Sequence, residues 1–296
     1  MSKSHIHDLP GDRAFYIVCT VVLAILLLIV AYPIYFVLIA SISDVTLVNT
    51  GKVLLYPRGL QLLGYQRVLT NARILTGYRN TVFYTVAATL LNLTLTMTAG
   101  YALSVKVPGR NFFSLMITFT MFFGGGLIPY YFVIRGLGIL NTVWVMILPG
   151  AVSAYNLIIT RTFLKSNIPH ELYEAASIDG CNRLQFFVKV VVPLSGTLIA
   201  VLTLFYAVGH WNDYFNALMF LTKRTLHPLQ LVLREILIEN SVSADDMDGE
   251  AAAALMNMKE TLKYALIVVS SLPMMILYPL VQKHFVKGVM IGSVKG

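Results

Sequence analysis

Long apolar runs separated by short polar stretches dominate the chain from Phe15 onward. A bilayer crossing needs about 20 mostly apolar residues. Six stretches meet that length, at 14–40, 80–104, 112–134, 139–164, 188–221 and 261–283. Each reads as a helix, because an isolated span in lipid must satisfy its backbone hydrogen bonds within itself. The pattern predicts an all-α integral membrane protein, six transmembrane helices in a single domain over 1–296, with no soluble domain of useful size. The third and fourth spans, separated only by RGLGILN, form a hairpin. An even number of crossings puts both termini on one side. Connections 41–79 and 222–260 then share one side, and connection 165–187 lies on the other. Within 222–260, LHPLQLVLREILIEN is amphipathic at helical spacing, and SADDMDGEAAAALMNMKE opens acidic and continues as an alanine-rich helix. The run after MSKSHIHDLPGDR is too long for a signal-peptide core and has no small-residue cleavage site close behind it, so it reads as a retained first span.

Composition agrees with the pattern. Charged residues make up 12% of the chain and hydrophobic ones 57%, whereas soluble domains carry about 25% charged residues. The net charge of +8 comes from scattered Lys and Arg with no run of five or six, which fits membrane topology rather than a nucleic-acid footprint. Half of the 22 basic residues fall on each side of the six-span arrangement. Weighting the short connection KVPGR above the long loops favours cytoplasmic termini by a small margin. Cys19 and Cys181 match no metal or redox spacing. His210, His227 and His284 are too scattered for a metal site, and no nucleophile–base arrangement stands out. No GxxxxGK[ST] phosphate loop is present, so the chain is not expected to hydrolyse ATP, to catalyse a reaction or to bind a cofactor.

The segment 165–195 breaks the apolar pattern. In KSNIPHELYEAASIDG, Ser166 or Asn167 is an N-cap candidate and Pro169 sits near the first helical position. Glu171 lies in the first turn, where a negative charge suits the helix dipole. Ala175 and Ala176 propagate a helix, Gly180 can take the left-handed conformation that ends it, and Asn182 can cap the next one. Pro193 marks where the chain enters the membrane. Glu174, Ala175 and Ala176 then offer one acid on a small-residue surface open to close approach, a docking knob for another protein. The plain alternative is a solvated loop helix.

EAASIDGCNRLQFFVKVVVPLS resembles the EAA signature of bacterial ABC importer permeases: EAA, three residues, Gly, nine residues, an aliphatic residue, one residue, then Leu-Pro. Glu174, Ala175, Ala176, Gly180, Val190 and Pro193 match, Asp179 lies inside the motif, and Val192 stands where leucine is usual. The motif lies between the fourth and fifth of six spans, as the family has it. MFFGGGLIPYYFVIRGLGILNT, WNDYFNAL and VQKHFVKGVMIGSVKG are similar to the second permease of the maltose-type carbohydrate importers. GGGLIPYY looks closest to permeases for pectin or alginate fragments. The resemblance implies the type I ABC importer permease fold in a bacterial inner membrane, multi-pass, with both termini cytoplasmic. It implies a homologous second permease subunit, two ATP-binding subunits that hold the ATP and Mg, and an extracytoplasmic sugar-binding protein. The helix around Glu174–Gly180, in the coupling loop 165–187, would be the coupling helix, the loop 222–260 would touch the binding protein, and the tail 283–296 would reach toward the ATPases.

A sugar path has candidates too. On a continuous helix Asn212, Asp213 and Asn216 share a face with Gly209, with Trp211 and Tyr214 beside it. Sugars are held by hydrogen bonds to hydroxyls and by aromatic rings against C–H surfaces, and this cluster supplies both. A charged residue within a span normally faces a cavity or a partner; the other reading is a wet anchor at the outer interface, where Trp and Tyr gather. Asn92 is a further path candidate. Gly124, Gly125 and Gly126 weaken the third span and suit a gate or cavity wall, or else close helix packing. Tyr130 and Tyr131 lie just beyond. Rival functions are an ABC permease for another solute class, an ion-coupled secondary transporter, or a structural membrane protein.

Overall fold

A computed structural model describes residues 10–242 and 262–279, together with positions 260 and 282. Among these every regular element is helical. The chain divides into two compact units, Met1–Thr70 with Glu239–Val269, and Asn71–Ile238 with Ser270–Gly296. The alanine-rich stretch expected within 243–259 and the tail 283–296 lie outside the described residues.

The first unit is led by α1 (Pro10–Ser41), a 32-residue helix. None of its most apolar window is buried; a helix that is apolar all round is stable where lipid or another chain covers it. Its end packs Ile39 and Ala40 against Val48 and Val53. The unit also holds α2 (Val45–Asn49) and α3 (Leu63–Thr70). Asp44 caps α2 by accepting from the Thr46 N–H at 2.8 Å.

In the second unit the organising element is α4 (Ala72–Ser104). It begins eight residues before the expected 80 because Asn71 caps it, accepting from the Arg73 and Ile74 N–H groups at 3.0 and 3.3 Å. Its inward face runs Thr81, Thr85, Thr89, Asn92, Thr96 and Gly100, all buried. The outward face carries Val82, Phe83, Val86 and Leu90, all exposed. This inverts the soluble pattern: lipid faces apolar side chains, while small and polar ones permit close helix approach and interhelical hydrogen bonds. Near its start Asn80, Tyr84 and Thr81 bond to backbone groups of Thr225, His227, Leu226 and Leu229, and Arg73 pairs with Glu235.

Among the described residues, three helices are singly long and apolar enough to cross a membrane: 12–41, α4, and Leu262–Pro279, labelled α14 below. The other expected spans are broken. Over 112–134 the chain forms α5 (Arg110–Phe122) and α6 (Leu127–Gly136). Over 139–164 the continuous helix is not formed. A 3-10 turn at Val143–Met146 precedes α7 (Ala154–Asn167). Pro149, Gly150 at φ +70° and the Ser153 cap intervene. After α7 come α8 (His170–Ile178), α9 (Arg183–Phe186), a π turn at Phe187–Val191, α10 (Val192–Leu194) and α11 (Gly196–Trp211). The path bends by 80° between Leu194 and Gly196, just after Pro193, which has no N–H to give an intrahelical bond. Short α12 (Phe215–Phe220), a 3-10 turn at Arg224–Leu226 and α13 (Leu229–Val242) follow, the last covering most of the amphipathic stretch from Leu226 to Asn240 and running two residues past it.

Both α7 and α11 pack along α4. One core joins α4, α6, α12 and α13 through Tyr84, Ile134, Phe220 and Leu231. Another joins α4, α7, α9 and α11 through Met97, Leu164, Phe186, Leu198 and Leu202.

Candidate functional site

Local capping defines the segment between α7 and α11. α7 runs on to Asn167, so Ser166 and Asn167 are not the N-cap of the next helix. Their side chains donate back to the carbonyls of Thr162 and Phe163 at 2.8 and 3.0 Å. Pro169 occupies the N-cap position of α8 with no side-chain bond. The end of α8 is a Schellman arrangement. The Cys181 N–H reaches the Ala176 carbonyl at 2.9 Å and the Gly180 N–H reaches Ser177 at 3.1 Å, with Gly180 at φ +77°, a conformation glycine takes without cost. Asn182 then caps α9 in a capping box with Gln185, at 2.8 and 3.0 Å.

The knob has two distinct sides. Tyr173 and Ala176 pack into the core beneath, with the Tyr173 ring edge-on to Phe186 at 5.3 Å. Glu171, Glu174, Ala175, Ile178 and Asp179 are exposed, Ile178 at 87%. Glu174 meets His170 across one turn at 3.0 Å. Its paired alanines therefore serve opposite sides: Ala175 faces outward and Ala176 inward. A hydrogen bond from Arg183, aided by Ser177, holds the Tyr173 phenol below its usual value near 10.0.

The expected helical face of Asn212, Asp213 and Asn216 does not exist, because α11 ends at Trp211. Two side chains compete with the helix for its backbone groups. Asn212 Nδ2 donates to the Val208 carbonyl at 2.9 Å. Asp213 accepts from the Asn216 N–H at 3.2 Å and from Asn216 Nδ2 at 2.7 Å. Tyr130 adds its hydroxyl to Asn216 Oδ1 at 3.3 Å, so Asp213, Asn216 and Tyr130 form one polar chain joining α6 to the start of α12. Tyr131 instead stacks on Phe220, and Tyr214 lies under the Arg234 guanidinium at 5.8 Å.

Trp211 and Asn212 line a cavity of about 980 Å³ together with Tyr155, Asn156, Gln230, Ser270, Ser271 and Tyr278, among others. The Trp211 indole N–H donates to the Ser270 carbonyl at 2.9 Å, and Gln230 reaches Asn212 Oδ1 at 3.5 Å. None of the described lining residues is charged. The lining is mostly apolar, with Leu204, Phe205, Val208, Met274 and Met275 beside the amides, hydroxyls and rings, so the hollow offers ring-stacking surface and a few hydrogen-bond groups to a neutral solute. Gln230, Ser270, Ser271, Tyr155 and Tyr278 escaped the sequence reading. They lie on three other helices, and nothing local marks them.

Asn92 does not line this cavity. It is fully buried, and its amide oxygen accepts from His210 Nε2 at 2.8 Å while its nitrogen faces the carbonyls of Ala88 at 2.8 Å and Ala151 at 3.3 Å. Thr96 and the Tyr206 hydroxyl meet one turn away at 2.6 Å. These pairs join α4 to α11. The glycine run forms the break between α5 and α6. Gly126, at φ +86° and ψ 170°, has a conformation open only to glycine, and a Cβ on Gly124 or Gly125 would meet no atom within 4 Å. Close packing within this chain is therefore not their role. Among the described residues no cluster of His, Cys, Asp or Glu is disposed to hold a metal.

Comparison with known proteins agrees over nearly the whole length. The family described as "Binding-protein-dependent transport system inner membrane component" matches residues 8–291. The polygalacturonan/rhamnogalacturonan transport system permease protein YtcP of Bacillus subtilis is 40% identical over 270 residues, 91% of this chain and 94% of that one. Protein LplC of the same organism is 36% identical over 298 residues, covering 100% of both. A crystal structure of a bacterial ABC transporter involved in the import of the acidic polysaccharide alginate contains a chain that superposes with TM-score 0.84 at 36% identity, over 94% of this chain and 98% of that one.

Proposed function

This chain belongs to the family of binding-protein-dependent transport system inner membrane components, and from that premise we propose that it is a permease subunit of an ATP-driven oligosaccharide importer, fed by fragments of acidic plant or algal polysaccharide. It is a transport subunit of the inner membrane and not itself an enzyme; ATP hydrolysis belongs to separate subunits. The substrate class is supported by relatives named for polygalacturonan and rhamnogalacturonan transport and by the alginate importer. The uncharged cavity around Trp211 and Asn212 would take sugar hydroxyls and ring faces. The carboxylates of such a substrate would then be read by the partner permease or the binding protein.

In this reading the chain crosses six times, along α1, α4, α5 with α6, α7, the bent stretch through α11, and α14, with both termini in the cytoplasm. A homologous permease, two ATPases carrying ATP and Mg, and an extracytoplasmic binding protein complete the assembly. The mechanism is alternating access. When the ATPases close on ATP, they carry α8 with them, the cavity opens outward to receive sugar from the binding protein, and hydrolysis resets the inward state. The observation that carries this reading is α8 itself. It is capped at its C-terminal end and bare on the face of Glu171, Glu174, Ala175 and Ile178. Its inner face is seated in the core that includes Met97 of α4 and Leu198 of α11, so a push on the knob is delivered to the helices around the cavity.

Glu174→Lys tests it. Glu174 is 65% exposed and its one described ion pair is with His170, so membrane insertion and assembly with the partner permease should be unchanged. ATPase docking and oligosaccharide uptake should each fall by about tenfold or more, equivalent to ~1.4 kcal/mol of coupling. Uptake equal to that of the unaltered chain would refute the coupling role.

A further inference from the structure

A second cavity, of about 350 Å³, lies beside α8, bounded by the ends of α4 and α7 and the first residue of α9. Four cationic side chains line it, Lys106, Arg110, Lys165 and Arg183, with His170 and Tyr173 on the helix flank and no carboxylate in the lining. Among the described residues none of the four cations is in an ion pair. The acids of the same segment, Glu171, Glu174 and Asp179, belong to the outward face, and Glu174 is engaged by His170. Four like charges gathered round one hollow repel each other, and a bound anion relieves that repulsion. Tyr173, on the rim, takes a hydrogen bond from Arg183 that holds its phenol below its usual value. Lys106 and Arg110 also edge a smaller hollow at the α4–α5 turn.

Position identifies the kind of anion. Immediately after Arg110, α5 presents Phe112, Phe113, Leu115 and Met116 to the outside, each at least half exposed. Charge at the mouth of an apolar helix surface matches a phosphate with hydrocarbon attached, whereas a free phosphate has no use for the apolar part. We propose that this cavity binds the phosphodiester headgroup of an anionic phospholipid, whose acyl chains lie along α5. Basic pockets of this kind at the cytoplasmic ends of membrane helices attract anionic headgroups. The inference rests on the proposed orientation only for the leaflet that supplies the lipid. Because lipid retention needs no transport, its failure and a failure of the coupling role are separable.

The test uses the full chain assembled with its partner permease and ATPases, in nanodiscs of phosphatidylcholine with and without phosphatidylglycerol. Bound lipid is counted by native mass spectrometry. The intact complex should retain phosphatidylglycerol, and the variant Lys106→Gln/Arg110→Gln/Arg183→Gln should retain about a hundredfold less, since each surface charge contributes about fivefold. Millimolar inorganic phosphate should not displace the lipid. Equal retention by the variant, equal retention of phosphatidylcholine, or displacement by phosphate would each overturn the proposal. Retention seen only when the ATPases are absent would also overturn it, by showing that an acidic protein surface fills the cavity. If the triple variant does not assemble, phosphatidylglycerol with a photoreactive headgroup decides on the unaltered complex. Labelling at Tyr101, Tyr173 or the 104–110 turn supports the site, and labelling confined to other segments refutes it.

Discussion

Asn92 has no exposure to solvent, yet its amide is fully engaged: the oxygen accepts from His210, and the nitrogen faces the carbonyls of Ala88 and Ala151. Replacing it with leucine keeps the volume and strands the His210 N–H and the Ala151 carbonyl in an apolar interior. Leaving buried polar groups unpaired costs about 1–3 kcal/mol, so Asn92→Leu should lower the midpoint of thermal unfolding in detergent by several degrees. His210→Leu alone should cost a similar amount, and the double change less than the sum, because the two share one bond. Additive losses would show that the pair is not coupled. In the sequence Asn92 stands out as a polar residue inside a span, which marks it as a path candidate without naming its partner. Its partner lies 118 residues away, and no local pattern reaches that far. Gly180 and Asn182 are the opposite case. Their work is done within three to five residues, so a conformational preference and a cap were visible from the letters alone.

At the scale of elements the same distinction explains the spans. Apolarity reports which stretches lie in lipid. It does not report whether the helix is continuous there, which depends on a few backbone bonds. Pro149 with Gly150, Pro193 with Ser195, and Asn212 with Asp213 each redirect those bonds while leaving the stretch apolar enough for a span. The contact between α4 and α7 was also hidden. A Cβ on Gly100 would lie 2.4 Å from Thr160 Cγ2 and 2.9 Å from Thr160 Cβ, closer than real atoms approach. Gly100→Ala should therefore force the helices apart, with an overpacking cost of about 1–3 kcal/mol. Thr160→Ser removes the offending methyl group and keeps the hydroxyl that donates to the Asn156 carbonyl at 2.7 Å, so it should recover part of the loss in the double variant. Thermal unfolding of the four proteins in a double-mutant cycle checks this, and an unaffected Gly100→Ala protein would show that α4 and α7 pack more loosely than described.

The molecule as a whole is an incomplete machine. The most apolar stretch of α1 is uncovered among the described residues, α8 turns a bare face outward, and no phosphate-binding loop occurs in the sequence. A carrier driven by an ion gradient would need an acid placed to bind and release its ion inside the spans. From α4 through α11 the helices taken to cross the membrane contain no Asp or Glu, and Asp213, just beyond α11, spends both oxygens on Asn216. An asparagine there keeps one acceptor for the Asn216 N–H and can turn its amide nitrogen toward the oxygen of a flipped Asn216 side chain. Asp213→Asn should therefore leave oligosaccharide uptake within about threefold, a change of less than ~1 kcal/mol, whereas an ion-coupled carrier would lose transport outright. Reconstitution settles the matter independently. Proteoliposomes holding this chain and its partner permease alone should show no uptake under a sodium or proton gradient. Adding the ATPases, the binding protein and ATP should start it. Gradient-driven uptake without the ATPases, abolished by Asp213→Asn, would overturn the importer reading and make Asp213 the coupling site.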